Sequence, residues 1–416
     1  MSFQQGLSGL NGAAKSLEVT GNNVANASTV GFKQAQAQFA DMYANSMNRS
    51  GNSPVGIGVS VANVAQQFTQ GNITTSNNPL DVAINGDGFF RMVSSITNQA
   101  PLYGRNGQFE LDKNGYIINP SENGAYLTGW PAGVTGGDAV PLQIDTAALP
   151  ATATTKVSTK VNLDSRLSSP TVTPFDPSNS NSYNNSTGVT AYDSLGNTYN
   201  VQTYYVKGAT TTSPVTTSWD VYATVDGAVA PATTPPTKLG SMTFDATGAM
   251  TANTATSINL STFAKAGATM GSIALDYTGS TQTGSSFVNL AQSQDGMAPG
   301  TLSSFSIGKD GQIIGSYSNS QTKSLGQVLL VNFANPNGLQ PIGNNLYTAS
   351  SDAGVPLIGT PTTGSFGTLQ ARAVEDSNVD LTAELVNMIV AQRVYQANAQ
   401  TIKVQDTILQ TLVSLR

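Results

Sequence analysis

The chain has 416 residues, of which 39% are hydrophobic and 41 are glycine, enough apolar material for roughly two to four domains with real cores. Only 10% of residues are charged and the formal net charge is -6, a neutral to acidic surface that argues against a nucleic-acid partner. Cysteine and histidine are both absent, which excludes disulfides, thiol nucleophiles, thiolate metal sites and any catalytic triad built on histidine.

The first residues lack both a basic start and an apolar run, so no cleavable secretory signal is expected. Nor is there a run of about 18 apolar residues, so no membrane insertion is expected. Phe3, Leu7, Leu10, Ala14 and Leu17 recur at spacings of four and three, which predicts one apolar stripe on an N-terminal helix. Gly6, Gly9 and Gly12 interrupt it, each costing roughly 1 kcal/mol of helix stability relative to alanine. The run Thr20, Gly21, Asn22, Asn23 reads as the helix stop. Residues 29–71, with Gly51, Asn52, Ser53 and Pro54, read as an irregular connector holding at most a short strand.

Beyond the connector the period changes from 3.6 to 2. Leu80–Ile84, Gly88–Val93, Gln108–Leu111, Ser303–Ile307, Gln312–Tyr317 and Gln327–Phe333 read as strands. Turn pairs lie among them at Asn85-Gly86, Asp87-Gly88, Asn106-Gly107, Asn114-Gly115, Asn123-Gly124 and Asp310-Gly311. Composition shifts near Pro141–Pro150 and Leu290–Pro299 bracket a Thr/Ser/Ala-rich stretch with strands at Thr187–Tyr192, Thr198–Val206 and Trp219–Val225. In the last, Trp219, Val221, Ala223 and Val225 share one face. The fold class that follows is mainly β with α-helical termini: two antiparallel β-domains, one inserted in the other, plus a discontinuous helical coiled-coil domain made by both chain ends. The expected boundaries are 1–28 and 372–416 for the terminal helices, 29–71 and 364–371 for the connector, 72–147 and 291–363 for the inner β-domain, and 148–290 for the inserted outer one.

At the C-terminal end Asp380 is a plausible N-cap, with Glu384 in the first turn where the helix dipole favours an anion. Leu381, Leu385, Met388, Tyr395, Ile402, Leu409 and Val413 form the main row, broken in apolar character by Gln392 and Asp406. Val386, Val390, Val394, Val404, Ile408 and Leu415 lie off it. An apolar surface this wide exceeds what one partner helix covers, so burial between identical copies is expected, with the ends loose in an isolated copy.

No constellation points to chemistry. Asn85 to Gly88 lacks the ligand ladder of a calcium loop, and Asp81 and Asp87 read as a strand-edge and a turn aspartate. Arg105 beside Tyr103 reads as a strand-surface pair. No catalytic, metal or cofactor-binding residue is expected, and no cofactor.

Asn22, Asn23, Val24, Ala25, Asn26, Thr29, Gly31, Phe32 and Lys33 closely resemble the NN-(I/V/L)-AN-x-x-T-x-GFK signature of the flagellar rod and hook family. Ser377 to Leu381 and Glu384 to Arg393 resemble the other end of that family, and Leu80–Ile84, Gly88–Arg91 and Arg105–Phe109 resemble its middle. The length, the large insertion and the segment Ala35–Tyr43 fit the hook branch better than the shorter rod branch. The resemblance implies a non-enzymatic subunit exported through the type III flagellar apparatus into a tubular helical homopolymer. Its terminal helices would line a central channel, and the tube would act as a universal joint that carries torque from rod to filament. Implied partners are other copies, the hook cap, the distal rod, the hook-filament junction proteins and the export apparatus. Some spirochaete relatives are cross-linked through cysteine, which this chain does not contain. Alternative readings are a distal rod or other axial protein, and a secreted β-rich adhesin or enzyme.

Overall fold

The computed structural model describes residues 2–42, 56–97, 100–233 and 235–414; Tyr43, Gly51, Asn52, Ser53, Pro54 and Leu415 lie outside them. Helix α1 spans Ser2–Ala25 and helix α2 spans Leu381–Ser414, with strands making up most of what lies between.

Two compact units divide the chain. The first takes residues up to Thr146 together with Ser304–Gly315 and Thr322 onward; the second takes Ala147–Ser303 and Ser316–Gln321. The boundary expected at 290 falls inside a strand, because Val288–Gln294 runs antiparallel to Lys156–Asp164 and so belongs with the second unit.

In the second unit a five-stranded and a six-stranded sheet share one core. Trp219, Val221, Ala223 and Val225 are all buried there, on the face that period-2 alternation assigns them. The six-stranded sheet is antiparallel throughout its described pairs. Lys156–Asp164 is different: it pairs parallel with Ser272–Asp276 and with Thr281–Thr283. A parallel pair needs a long return path, and here the intervening six-stranded sheet supplies it in place of a helix.

The first unit is built on a large sheet in which Thr322–Val328, Ala125–Pro131, Phe89–Val93, Pro101–Gly104, Leu346–Ala349 and Leu339–Gly343 lie side by side. Gln312–Tyr317 forms a strand at its expected bounds, while Gln327–Phe333 divides into Thr322–Val328 and Leu330–Asn332. Gly86, Gly88, Gly115, Gly124 and Gly311 adopt the positive φ that the turn pairs imply. Gly107 does not. Its place is set by the Val82 carbonyl, which approaches too closely for any side chain.

Three expectations about the ends are corrected. Residues 29–71 are not an irregular connector: β1 (Ala35–Met42) and β2 (Gly58–Gln66) form a long antiparallel hairpin with a bulge between Gln38 and Phe39. The alternation of small and amide side chains in β1 gives a weak apolar signal, which is why it reads as coil. The stretch 364–371 is no connector either, since Thr368–Ala371 pairs with Val82–Asn85 in the first unit. Finally, α1 does not stop at Thr20 but continues through Asn23, whose buried side chain is occupied elsewhere instead of capping.

One acid in the first unit has no partner. Glu122 is 1% exposed, and neither carboxyl oxygen has a hydrogen-bond partner. A Cβ built on Gly104 would lie 2.8 Å from its Oε1, and burial pushes its pKa up to about 9.

Candidate self-assembly interface

The glycines of α1 do more than weaken the helix. Gly6, Gly12, Ala13, Thr20 and Asn23 form its buried face. A Cβ built on Gly9 would lie 2.7 Å from Oδ1 of Asn398 on α2, and one on Gly6 would lie 3.2 Å from Cγ1 of Ile402. One on Gly12 would lie 3.3 Å from Cγ1 of Val59 on β2. Glycine is therefore what lets the α1 backbone approach both α2 and the hairpin, and the helices pair within one copy instead of hanging loose. The stripe inferred from apolar spacing points elsewhere. Phe3 and Leu7 are 46% and 44% exposed, Ala14 is exposed, and Leu10 and Leu17 are half-buried.

Helix α2 is capped as expected, Oδ1 of Asp380 accepting from the backbone N–H of Thr382 at 2.9 Å and of Ala383 at 3.2 Å. Its inward positions are Glu384, Ala391 and the half-buried Met388, Asn398, Ala399 and Ile402. Leu381, Leu385, Tyr395, Leu409 and Val413 face solvent, as do Val386, Ile389, Val390, Val394, Val404 and Ile408. Only Met388 and Ile402 of the main row thus turn toward the chain's own body. Glu384 lies in the first turn as expected and is buried there, accepting from Gln34 Nε2 at 2.7 Å and Asn23 Nδ2 at 3.3 Å.

The helices enter the first unit through a polar junction. Asn23 binds Ala35 like a strand partner, its Oδ1 accepting from the Ala35 N–H at 2.9 Å and its Nδ2 donating to the Ala35 carbonyl at 2.8 Å. Lys33 Nζ donates to Glu375 Oε1 and to the Thr69 carbonyl, both at 2.7 Å. Arg105 Nη1 donates to Glu375 Oε2 at 3.2 Å and Nη2 to the Gly86 carbonyl at 3.0 Å, with the guanidinium over the Phe89 ring. The Gly71 N–H also donates to Glu375 Oε1, at 2.9 Å. Arg105 is therefore no surface residue: one buried carboxylate holds two buried cations. Burial lowers the Lys33 pKa, and the nearby Arg105 charge acts in the same direction, against the attraction of Glu375.

This junction fixes register. Ile73–Thr75 pairs antiparallel with Ala373–Glu375, so a slip of one residue would carry Glu375 to the opposite face and strand both cations. Of the motif residues, Asn23, Gly31, Phe32 and Lys33 converge here. Asn22 and Ala25 are exposed, and Asn26 and Thr29 bond locally at the end of α1. Gly31 has φ +73°, and a Cβ there would sit 2.6 Å from the Asn106 nitrogen. Gly31→Ala is accordingly expected to lower the melting temperature of the first unit by several degrees through a loss of about 1–3 kcal/mol, read by circular dichroism; an unchanged midpoint would show that the loop relaxes freely.

Family models match the chain in four consecutive places. A model of the flagella basal body rod protein matches residues 3–33, and one of the flagellar hook protein FlgE/F/G D1 domain matches 83–166. A model of the flagellar basal body protein FlaE D2 domain matches 162–297, and one of the flagellar basal body rod FlgEFG protein C-terminal region matches 370–415. The flagellar hook protein FlgE of Salmonella typhimurium is 44% identical over 423 residues, covering 100% of both chains, and that of Escherichia coli K12 is 44% identical over 426, again covering 100% of both. The chain belongs to the flagellar hook protein family. A more distant hook protein, from Borreliella burgdorferi, is 31% identical over 461 residues, covering 100% of this chain and 99% of that relative. The fold is shared with the crystal structure of Helicobacter pylori flagellar hook protein FlgE2, at TM-score 0.57 and 16% identity over 73% of this chain and 100% of that one.

As a hook protein, the chain is a structural subunit of the bacterial flagellar hook and resides there. Membership implies homopolymeric assembly among other flagellar components, and a structural in place of a catalytic role. Among the described residues no cluster of acidic side chains is arranged to hold a metal, and no helix is long and apolar enough to cross a membrane.

Proposed function

We propose that copies of this chain polymerise into a bendable tube by burying the outward rows of α1 and α2 between neighbours, with the β units outside, and so carry torque from rod to filament. The observation that supports this reading is the solvent-facing row of α2. Leu381, Leu385, Ile389, Val390, Val394, Leu409 and Val413 are all exposed, along a helix about 50 Å long at ~1.5 Å per residue. Among the described residues nothing in its own chain covers so extended an apolar surface. The hook cap, distal rod, hook-filament junction proteins and export apparatus would be the contacts at the ends and during delivery.

Leu385→Asp is the sharper test, because Ile402 packs on Gly6 within the copy and a charge there would disturb the monomer too. The variant is expected to keep the parent's circular dichroism spectrum while raising the critical concentration for tube formation about a hundredfold or more. Tubes from the variant at the parent's concentration would remove α2 from the contact.

A further inference from the structure

Beside the polar junction lies a cavity of about 410 Å³, whose walls include Gln66, Phe68, Gly86, Asp87, Arg105 and Pro336. Two buried polar atoms of these residues have no partner among the described residues, Nε of Arg105 and Oε1 of Gln66. Arg105 is 3% exposed; its Nη1 donates to Glu375 and its Nη2 to the Gly86 carbonyl. Nε shares one edge of the guanidinium plane with Nη2, so its N–H is turned the same way, toward the Gly86 side of the cavity. We propose that this cavity is a binding site for a neutral primary carboxamide on a short aliphatic stem, the head group of glutamine and asparagine.

The unmatched atoms select the head group. Arg105 Nε can only donate and Gln66 Oε1 can only accept, so the ligand must bring one acceptor and one donor. A carboxamide carries both on neighbouring atoms, and each wall group then gains the bond that burial otherwise denies it. A carboxylate would satisfy Nε but turn further lone pairs on Oε1, and the exposed Asp87 on the wall would repel it. An ammonium would satisfy Oε1 and offer Nε nothing. No counter-charge is called for either, since Arg105 already has Glu375. The remaining walls select the stem. Phe68 and Pro336 are half-buried and apolar, a surface suited to methylene groups. One water takes up about 30 Å³, so the cavity admits a whole side chain. The outward rows of α1 and α2 take no part in these walls, so the site stands apart from self-assembly.

The Arg105 Nε–H is its own reporter. Its nitrogen–proton resonance is followed in the full-length, unpolymerised chain while propionamide, propionate or propylamine is added at millimolar concentrations. Propionamide is expected to shift it saturably, and the other two are not. Gln66→Leu removes the acceptor alone and should weaken propionamide binding about tenfold or more. Asn337→Trp, at an exposed wall residue, fills the cavity and should abolish the shift, which keeps the test decisive if Gln66→Leu folds poorly. Titrations with free glutamine and with N-acetylglutamine methylamide then distinguish a free amino acid from a side chain within a polypeptide as the source. Equal responses to propionate and propionamide, unchanged binding in folded Gln66→Leu or in Asn337→Trp, or no saturable response to propionamide would overturn the assignment. So would an Nε–H that exchanges magnetisation with long-lived water at every amide concentration, which would make ordered water the occupant.

Discussion

Glu375→Ala is expected to destabilise the first unit by about 3–5 kcal/mol, because it leaves Lys33 and Arg105 buried without the one carboxylate that both of them use. The two ends of the chain are tied through this group, so the loss should be local in its first effects. Limited proteolysis is expected to release the α1–hairpin segment and α2 before the rest of the first unit, and denaturant unfolding to show the early loss as a separate step. The combined replacement Lys33→Met, Arg105→Met and Glu375→Leu should recover most of the stability, since apolar groups of similar volume carry no desolvation penalty. A loss below about 1 kcal/mol in Glu375→Ala would mean that water already screens the pair, contrary to its burial.

Glu122 yields the second large effect, and it depends on pH. Its folded pKa of about 9 stands above the ordinary value of 4.5, so between these values the folded chain keeps a proton that the unfolded chain releases. Stability contributed by this group is therefore whole below pH 4.5 and declines as pH rises toward 9. Glu122→Gln is neutral throughout and removes that decline. By pH 7 the variant's advantage should have grown by about 3 kcal/mol relative to its value at low pH, at 1.36 kcal/mol per pKa unit. Thermal unfolding of both chains from pH 4 upward measures the gap; parallel profiles would show that the carboxyl finds water or a donor after all. Tyr347 lies near enough to feel the same carboxyl. Its pKa is pushed up to about 12 by burial and, second, by the Glu122 charge.

How much of this was legible in the residues depended on range. The α2 row and the strand Gln312–Tyr317 could be read because their signals are local and periodic. The apolar stripe of α1 could be read as well, but not the direction in which it points. Spacing identifies a leucine row, whereas the inward face is chosen by where backbones approach, and Gly6, Gly9 and Gly12 register in propensity only as losses. The β1–β2 hairpin was missed because alanine and glutamine alternate without much difference in apolar character. Lys33 and Glu375 could not be paired from sequence at all: 342 residues separate them, and a lone lysine or glutamate is ordinarily a solvated one. Arg105 was misplaced for the same reason.

The tie at Glu375 also orders events in time. A chain that becomes available amino end first brings out Lys33 and Arg105 early, and their counter-charge only when nearly all of the polypeptide has followed. Until then the two cations of this junction have no counter-charge, and closing it would bury them unpaired. Closure of this junction therefore waits on Ala373–Glu375, a strand that lies just before α2 near the far end of the chain.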